Sequence, residues 1–268
     1  MVFDRYPPKS VVVGVDGSQA AIRAARWAVD EVVCTDIPLR LLYVTEAIPS
    51  AGPSTARAAR AAAEEVVHDA YRAVEEMGRP LKVEMEIIHG RPVPALIAAS
   101  RSTTLLCVGD TGAAQHPDAW LGSTAKDLAQ SGHCSVAIVR GDNRDTGSVG
   151  GGSIVAFVDE SPDGIDVLEL AIQEARHRGA PLSVLTAAQG DLHMKRCIDN
   201  YPEIEIDNAL LEGSLVDYLA EHSASIQLAV VGAAQTGELQ QLFGPAGGRA
   251  LRNTDFSLLV VGLERPGR

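Results

Sequence analysis

Aromatic side chains are scarce in this sequence, 4% of 268 residues, and cations are outnumbered. Lys and Arg total 23 against 35 Asp and Glu, a net charge of −12. That balance excludes a general nucleic-acid or anionic-membrane surface, because holding a phosphate backbone or lipid headgroups needs basic stripes. A single nucleotide held by backbone amides stays open. No apolar run approaches the roughly 18 to 20 residues of a membrane span, so no membrane partner is expected. The opening stretch, Met1 to Pro8, carries no apolar core of the signal-peptide kind, and the expected location is cytoplasmic. The four cysteines, Cys34, Cys107, Cys134 and Cys197, form no CxxC and no ligand spacing with the seven histidines. Neither a disulfide framework nor a metal centre follows from them. Cys107 sits inside an apolar run and reads as a small core hydrophobe. No Ser-His-Asp arrangement, no paired carboxylates and no Walker lysine can be placed, so no catalytic residue is assigned.

What is present is an Ala- and Val-rich chain, 46% apolar and long enough for two domains. Val11 to Val15 is a continuous apolar run of buried-strand type. It ends at Asp16-Gly17-Ser18, with Ser18 placed to cap a helix reaching about Cys34. That helix has Ala21, Ala25, Ala28 and Val32 on one face. Pro38 to Val44 reads as a second strand. A long helix then spans about Thr55 to Met77, with the stripe Ala58, Ala62, Val66, Ala70, Val74, Met77. Gly78 closes it. Val83 to Ile88 makes a third strand, and Pro92 lies in the first turn of a short helix. Leu105 to Val108 is a fourth strand and Ser135 to Val139 a fifth. The alternation predicts an α/β fold with parallel sheets covered on both faces.

After the fourth strand the glycines fall in a pattern: Gly109, Gly112 and, after nine intervening residues, Gly122-Ser123, with Thr124 opening a helix. A strand, a glycine-punctuated loop and a helix start can hold a phosphate. Glycine lets a ligand approach the backbone, and the first helical N–H groups lack partners. The loop from Asp110 to Leu121 contains no Arg or Lys, and it carries Asp110 and Asp118. Lys126 and Mg²⁺ are the available compensators for a phosphate chain.

The pattern then repeats. Offset by 143 positions, Asp16 falls on Asp159, Ala28 on Ala171 and Pro38 on Pro181. From the third strand onward the offset is 123, placing Gly90 on Gly213 and Gly109 on Gly232. The second copy therefore lacks 20 residues, 143 less 123, between its second and third strands. A short helix, about Leu192 to Asn200, is expected in place of the long one. Residues 1–141 and 154–268 are read as the two domains, joined by a glycine-rich linker over 142–153. At the offset of 123, Gly112 becomes Gln235, Gly122 becomes Pro245 and Ser123 becomes Ala246. The second copy's loop has lost most of the pattern, although Gly244 nearby makes a slipped loop conceivable.

Val-Gly-Val-Asp-Gly-Ser at the start and the glycine spacing at Gly109, Gly112, Gly122 and Ser123 resemble the universal stress protein family. The duplication is similar to its tandem actinobacterial type. That resemblance implies two doubly wound α/β domains, each a five-stranded parallel sheet of order 3-2-1-4-5 with helices on both faces. It implies ATP as cofactor, with Mg²⁺ as an accompanying ion, in the first domain. Val15 and Asp16 would face the nucleoside and the Val44 backbone the adenine edge. Val108 and Gly109 would border the ribose and phosphates, and Gly112, Gly122, Ser123 and Thr124 would hold the phosphate chain. The implied activity is stress-response regulation through conformation or association, with ATP hydrolysis at most incidental. A homodimer and a regulatory protein partner are the implied associations. A ligand-free scaffold of the same fold and a nucleotide-using enzyme are the alternatives.

Overall fold

A computed structural model describes residues 9–45, 53–113, 120–141, 152–187 and 200–262. The chain divides into two compact units. Among the described residues, the first holds those up to Ala113 and Gly122–Val139. The second holds Trp120, Leu121 and those from Arg140 onward.

The first unit runs β1 (Val11–Val15), α1 (Gln19–Val32), β2 (Leu39–Thr45), α2 (Pro53–Glu75), β3 (Val83–His89), α3 (Pro92–Ser100), β4 (Leu105–Gly109), α4 (Ser123–Ser131) and β5 (Ser135–Val139). Its strands are parallel in the order β3-β2-β1-β4-β5. The Val11–Val13 and Leu106–Cys107 side chains are fully enclosed, as expected for central strands covered on both faces. β1 lies between β2 and β4, so the connections leaving β1 and β4 diverge. Doubly wound sheets open a crevice at that switch point, beyond the C-terminal strand ends.

Local chemistry explains the helix limits. Ser18 caps α1, its Oγ accepting the Ala21 N–H at 3.1 Å, and Ala21, Ala25, Ala28 and Val32 are buried as the periodicity requires. Pro92 occupies the first turn of α3, where its missing N–H costs nothing. Gly78, at φ 63°, ends the chain's passage out of α2 in the left-handed region.

The phase of α2 differs from the sequence reading. Its buried face is Ala63, Val67, Ala70, Ala73 and Val74, while Ala58 and Ala62 are exposed and Val66 half-buried. Alanine occupies so many positions of this helix that periodicity alone leaves its rotation undetermined. Packing fixes it: Ala70 and Val74 are shared by both stripes, and Val67 rather than Val66 reaches the core.

The second unit runs β6 (Ser153–Val158), α5 (Gly164–Arg178), β7 (Leu182–Thr186), β8 (Ile206–Leu210), α6 (Leu215–Glu221), β9 (Ile226–Gly232), α7 (Thr236–Phe243), α8 (Pro245–Ala250) and β10 (Ser257–Val261). Its order, β8-β7-β6-β9-β10, repeats that of the first unit. Strand register confirms the duplication residue by residue. Val11 pairs with Leu105 in the first unit and Ile154 with Leu228 in the second, the same offsets of 143 and 123. At the fifth strand the offset becomes 122, since Leu105 pairs with Ser135 and Leu228 with Ser257. One residue has therefore been lost between Gly232 and β10. The expected linker, except Gly152 and Ser153, and the expected helix at 192–200, except Asn200, lie outside the described residues. Ser153 already belongs to β6.

Candidate functional site

The crevice beyond β1 and β4 of the first unit is a cavity of about 340 Å³, toward the small end of ligand pockets. Val15, Asp16, Val44, Val108, Gly109, Gly112, Gly122, Ser123 and Thr124 all line it. These nine residues come from the ends of β1, β2 and β4, from the loop after β4 and from the start of α4, so the sheet order brings them together. The sequence reading missed others. Leu42, Pro92 and Leu96 complete an apolar wall with Val15 and Val44. The two α3 residues had a usable signal, because the helix following β3 must cross the crevice face to reach β4.

The other end of the cavity is polar. The Asp16 carboxylate accepts the Ser18 N–H at 3.0 Å through one oxygen and the Ala113 N–H at 2.8 Å through the other. It thereby ties the loop after β4 to the end of β1, across 97 residues of sequence. A Cβ at Gly112 would stand 3.1 Å from Asp16 Oδ2, so a side chain there would press on this contact. Gly109 is constrained harder, since a Cβ would lie 2.6 Å from the Ala20 backbone carbon. Without glycine, α1 could not pack so closely against β4. The Gly122 N–H donates to the Asp110 carbonyl at 2.7 Å and pinches the base of the loop.

Gly122 is the N-cap of α4, and among the described residues no side chain caps that helix. The first intrahelical bond is Lys126 N–H to the Gly122 carbonyl, 3.2 Å. Ser123, Thr124 and Ala125 precede it and line the cavity. α1, by contrast, spends its cap on its own Ser18. The open end of α4 combines N–H groups without intrahelical acceptors and the positive pole of the helix, which suits an anionic group.

Charge is arranged differently from what the loop sequence suggests. Asp110, 7% exposed, is paired with Arg23 of α1 at 3.3 Å. The cation missing from the loop is thus supplied from a helix 87 residues earlier, and Asp110 contributes little net repulsion. A buried carboxylate without such a partner would be strongly unfavourable. Nothing local in the sequence joins Arg23 to Asp110.

The donor set fits a nucleotide: an apolar wall for a base, backbone amides and hydroxyls for phosphate, and small residues between. For Mg²⁺ the protein offers less. Both Asp16 oxygens already accept N–H bonds, and Asp110 is held by Arg23. Such an ion would rest mainly on phosphate oxygens and water, as Mg²⁺ commonly does.

Several known proteins are similar to this chain in sequence or in fold. The model of the universal stress protein family matches residues 8–140. Universal stress protein Rv2028c of Mycobacterium tuberculosis is 40% identical over 272 residues, covering 96% of this chain and 97% of its own. The crystal structure of a universal stress protein from Archaeoglobus fulgidus superposes with a TM-score of 0.73 at 18% identity, covering 94% of this chain and 96% of that one. A universal stress protein family protein from Arabidopsis thaliana, solved with AMP bound, matches 53% of this chain at 20% identity and a TM-score of 0.36.

Proposed function

Since the chain belongs to the universal stress protein family, we propose that its first unit is an adenine-nucleotide-binding module of a stress-response regulator, with ATP as the favoured ligand. The observation that carries this reading is the uncapped N-terminus of α4, opening into the same cavity as Asp16 and the end of β2. The adenine would lie along Leu42, Val44 and Leu96, with its edge toward the Val44 backbone. The ribose would sit between Asp16 and the Val108–Gly109 turn. The phosphates would take the amides and hydroxyls of Ser123 and Thr124 beside Gly112 and Gly122. No reaction is assigned. The regulatory lever is engagement of phosphate by Gly112 and by the Gly122–Thr124 helix start, a local switch of a kind used by many nucleotide-binding proteins. Its readouts are conformation and association state, with a homodimer and a regulatory protein partner as the associations proposed.

The test is direct. The protein is purified without added nucleotide, denatured, and the released small molecules identified by mass spectrometry. Stripped protein is then titrated with ATP, ADP, AMP and cAMP, with Mg²⁺ and with EDTA. An adenine compound released, or a saturable titration, supports the proposal. No release and no titration with any of the four removes it, leaving a ligand-free interaction module of the same fold.

A further inference from the structure

The second unit's crevice is filled by its own side chains. Two glycine positions that line the first cavity, Gly14 and Gly112, are occupied there by larger residues. At the offset of 143, confirmed by strand register, Gly14 is replaced by Phe157 and Ala20 by Asp163. Gln235 stands three residues after Gly232, as Gly112 stands three after Gly109.

Gln235 is 3% exposed, and both ends of its amide are engaged. Nε2 donates to the Phe157 carbonyl and to Asp159 Oδ1, each at 3.0 Å, and Oε1 accepts the Gly232 N–H at 2.9 Å. The side chain thus bridges the C-terminal ends of β6 and β9, the two strands that correspond to β1 and β4. Asp163, 1% exposed, accepts the Ala234 N–H at 2.8 Å and the Ser161 hydroxyl at 2.7 Å. Asp159, the counterpart of Asp16, accepts the Ser161 N–H and the Gln235 amide through one oxygen, each at 3.0 Å. Gln235 and Asp163, both buried and hydrogen-bonded, resist displacement, because each group moved without a new partner is left desolvated. The helix start is altered as well. Gly244 caps α8 as Gly122 caps α4, but the next residue is Pro245, which has neither the N–H nor the hydroxyl of Ser123.

We propose that Gln235 is a built-in ligand for the second unit, so that the chain takes one nucleotide and not two. On this reading, which rests on the nucleotide site proposed for the first unit, side-chain size at Gly112 and its counterpart Gln235 determines which crevice is open.

The experiment uses the full chain. Stripped protein is titrated with ATP and AMP by calorimetry, and a photoreactive azido-adenine nucleotide is crosslinked and mapped by peptide mass spectrometry. The expected stoichiometry is one per chain, with label confined to peptides from residues 9–139. Gly112→Gln, which imports the plug, is expected to weaken binding at least tenfold while its melting temperature stays within a few degrees. Two nucleotides per chain, or label on peptides from 153–262, overturns the inference and leaves the proposed function standing. A loss smaller than tenfold in a folded Gly112→Gln protein also overturns it. If Gly112→Gln does not fold, the label map on the unaltered chain decides alone. No binding at all removes the proposed function, and the inference falls with it.

Discussion

At Gly122 the absence of a side chain separates helix stability from ligand capture. A Cβ there meets nothing closer than 3.5 Å, so the backbone does not demand glycine. An Asp or Ser would cap α4 better, by a few tenths of a kcal/mol. Gly122→Asp is therefore expected to leave the melting temperature unchanged or slightly raised. Its carboxylate would take the amides of the first turn and place negative charge where phosphate is proposed to sit. Nucleotide affinity should fall by more than tenfold, read by titration alongside a thermal melt; undiminished affinity would place the phosphate elsewhere. Cys134 shows a different residue-level effect. It is 4% exposed, and burial pushes its thiol from the ordinary 9.0 up to about 12. The protonated thiol's contribution to stability is fully present below about pH 9 and is lost as pH rises toward 12. At pH 8 the exposed Cys34 should react with a maleimide in the native protein while Cys134 stays unmodified, becoming reactive only on unfolding. Peptide mass spectrometry distinguishes the two, and native labelling of Cys134 would contradict its burial.

Elements were legible wherever the side-chain pattern left a single solution. Val11 to Val15 can be little other than a buried strand, and Ser18 and Gly78 mark helix limits through cap chemistry. α2 was legible in length but not in rotation, for alanine is small enough to be inside or outside. The difference is measurable. Ala63→Lys puts a charge on the buried face and is expected to cost about 2–4 kcal/mol in denaturant unfolding, through overpacking and desolvation. Ala62→Lys, one position away on the exposed face, should stay within about 0.5 kcal/mol. Equal costs, or the reverse order, would restore the phase read from periodicity.

For the whole molecule, duplication is the organising fact, and divergence between the copies is what gives the chain a functional direction. Self-similarity at offsets of 143 and 123 was visible in residues such as Asp16 and Asp159 or Gly109 and Gly232. The lost residue between Gly232 and β10 was not. It changes the correspondence at the second loop: Gly122 answers to Gly244 and Ser123 to Pro245, not to Pro245 and Ala246. Strand register reveals it, because hydrogen-bonded pairs count residues without reference to side-chain identity. The expectation of one nucleotide for two units belongs to this scale, since it depends on comparing two crevices and not on either alone.

The sequence by itself determined the α/β alternation, the repeat and the glycine spacing, and its resemblance to the universal stress protein family supplied the nine residues that gather around the first cavity. Each of these rests on local pattern or on a motif whose spacing survives without knowledge of contacts. Tertiary structure decided the rest. It brought Arg23 to Asp110, Asp16 to the Ala113 amide, and Gln235 to Phe157 and Gly232, across 87, 97 and 78 residues in the three longest of these links. Charge balance and crevice filling depend on which side chains meet in space, and the chain brings them together only when parallel strands are laid side by side in an order that reverses at β1 and β6.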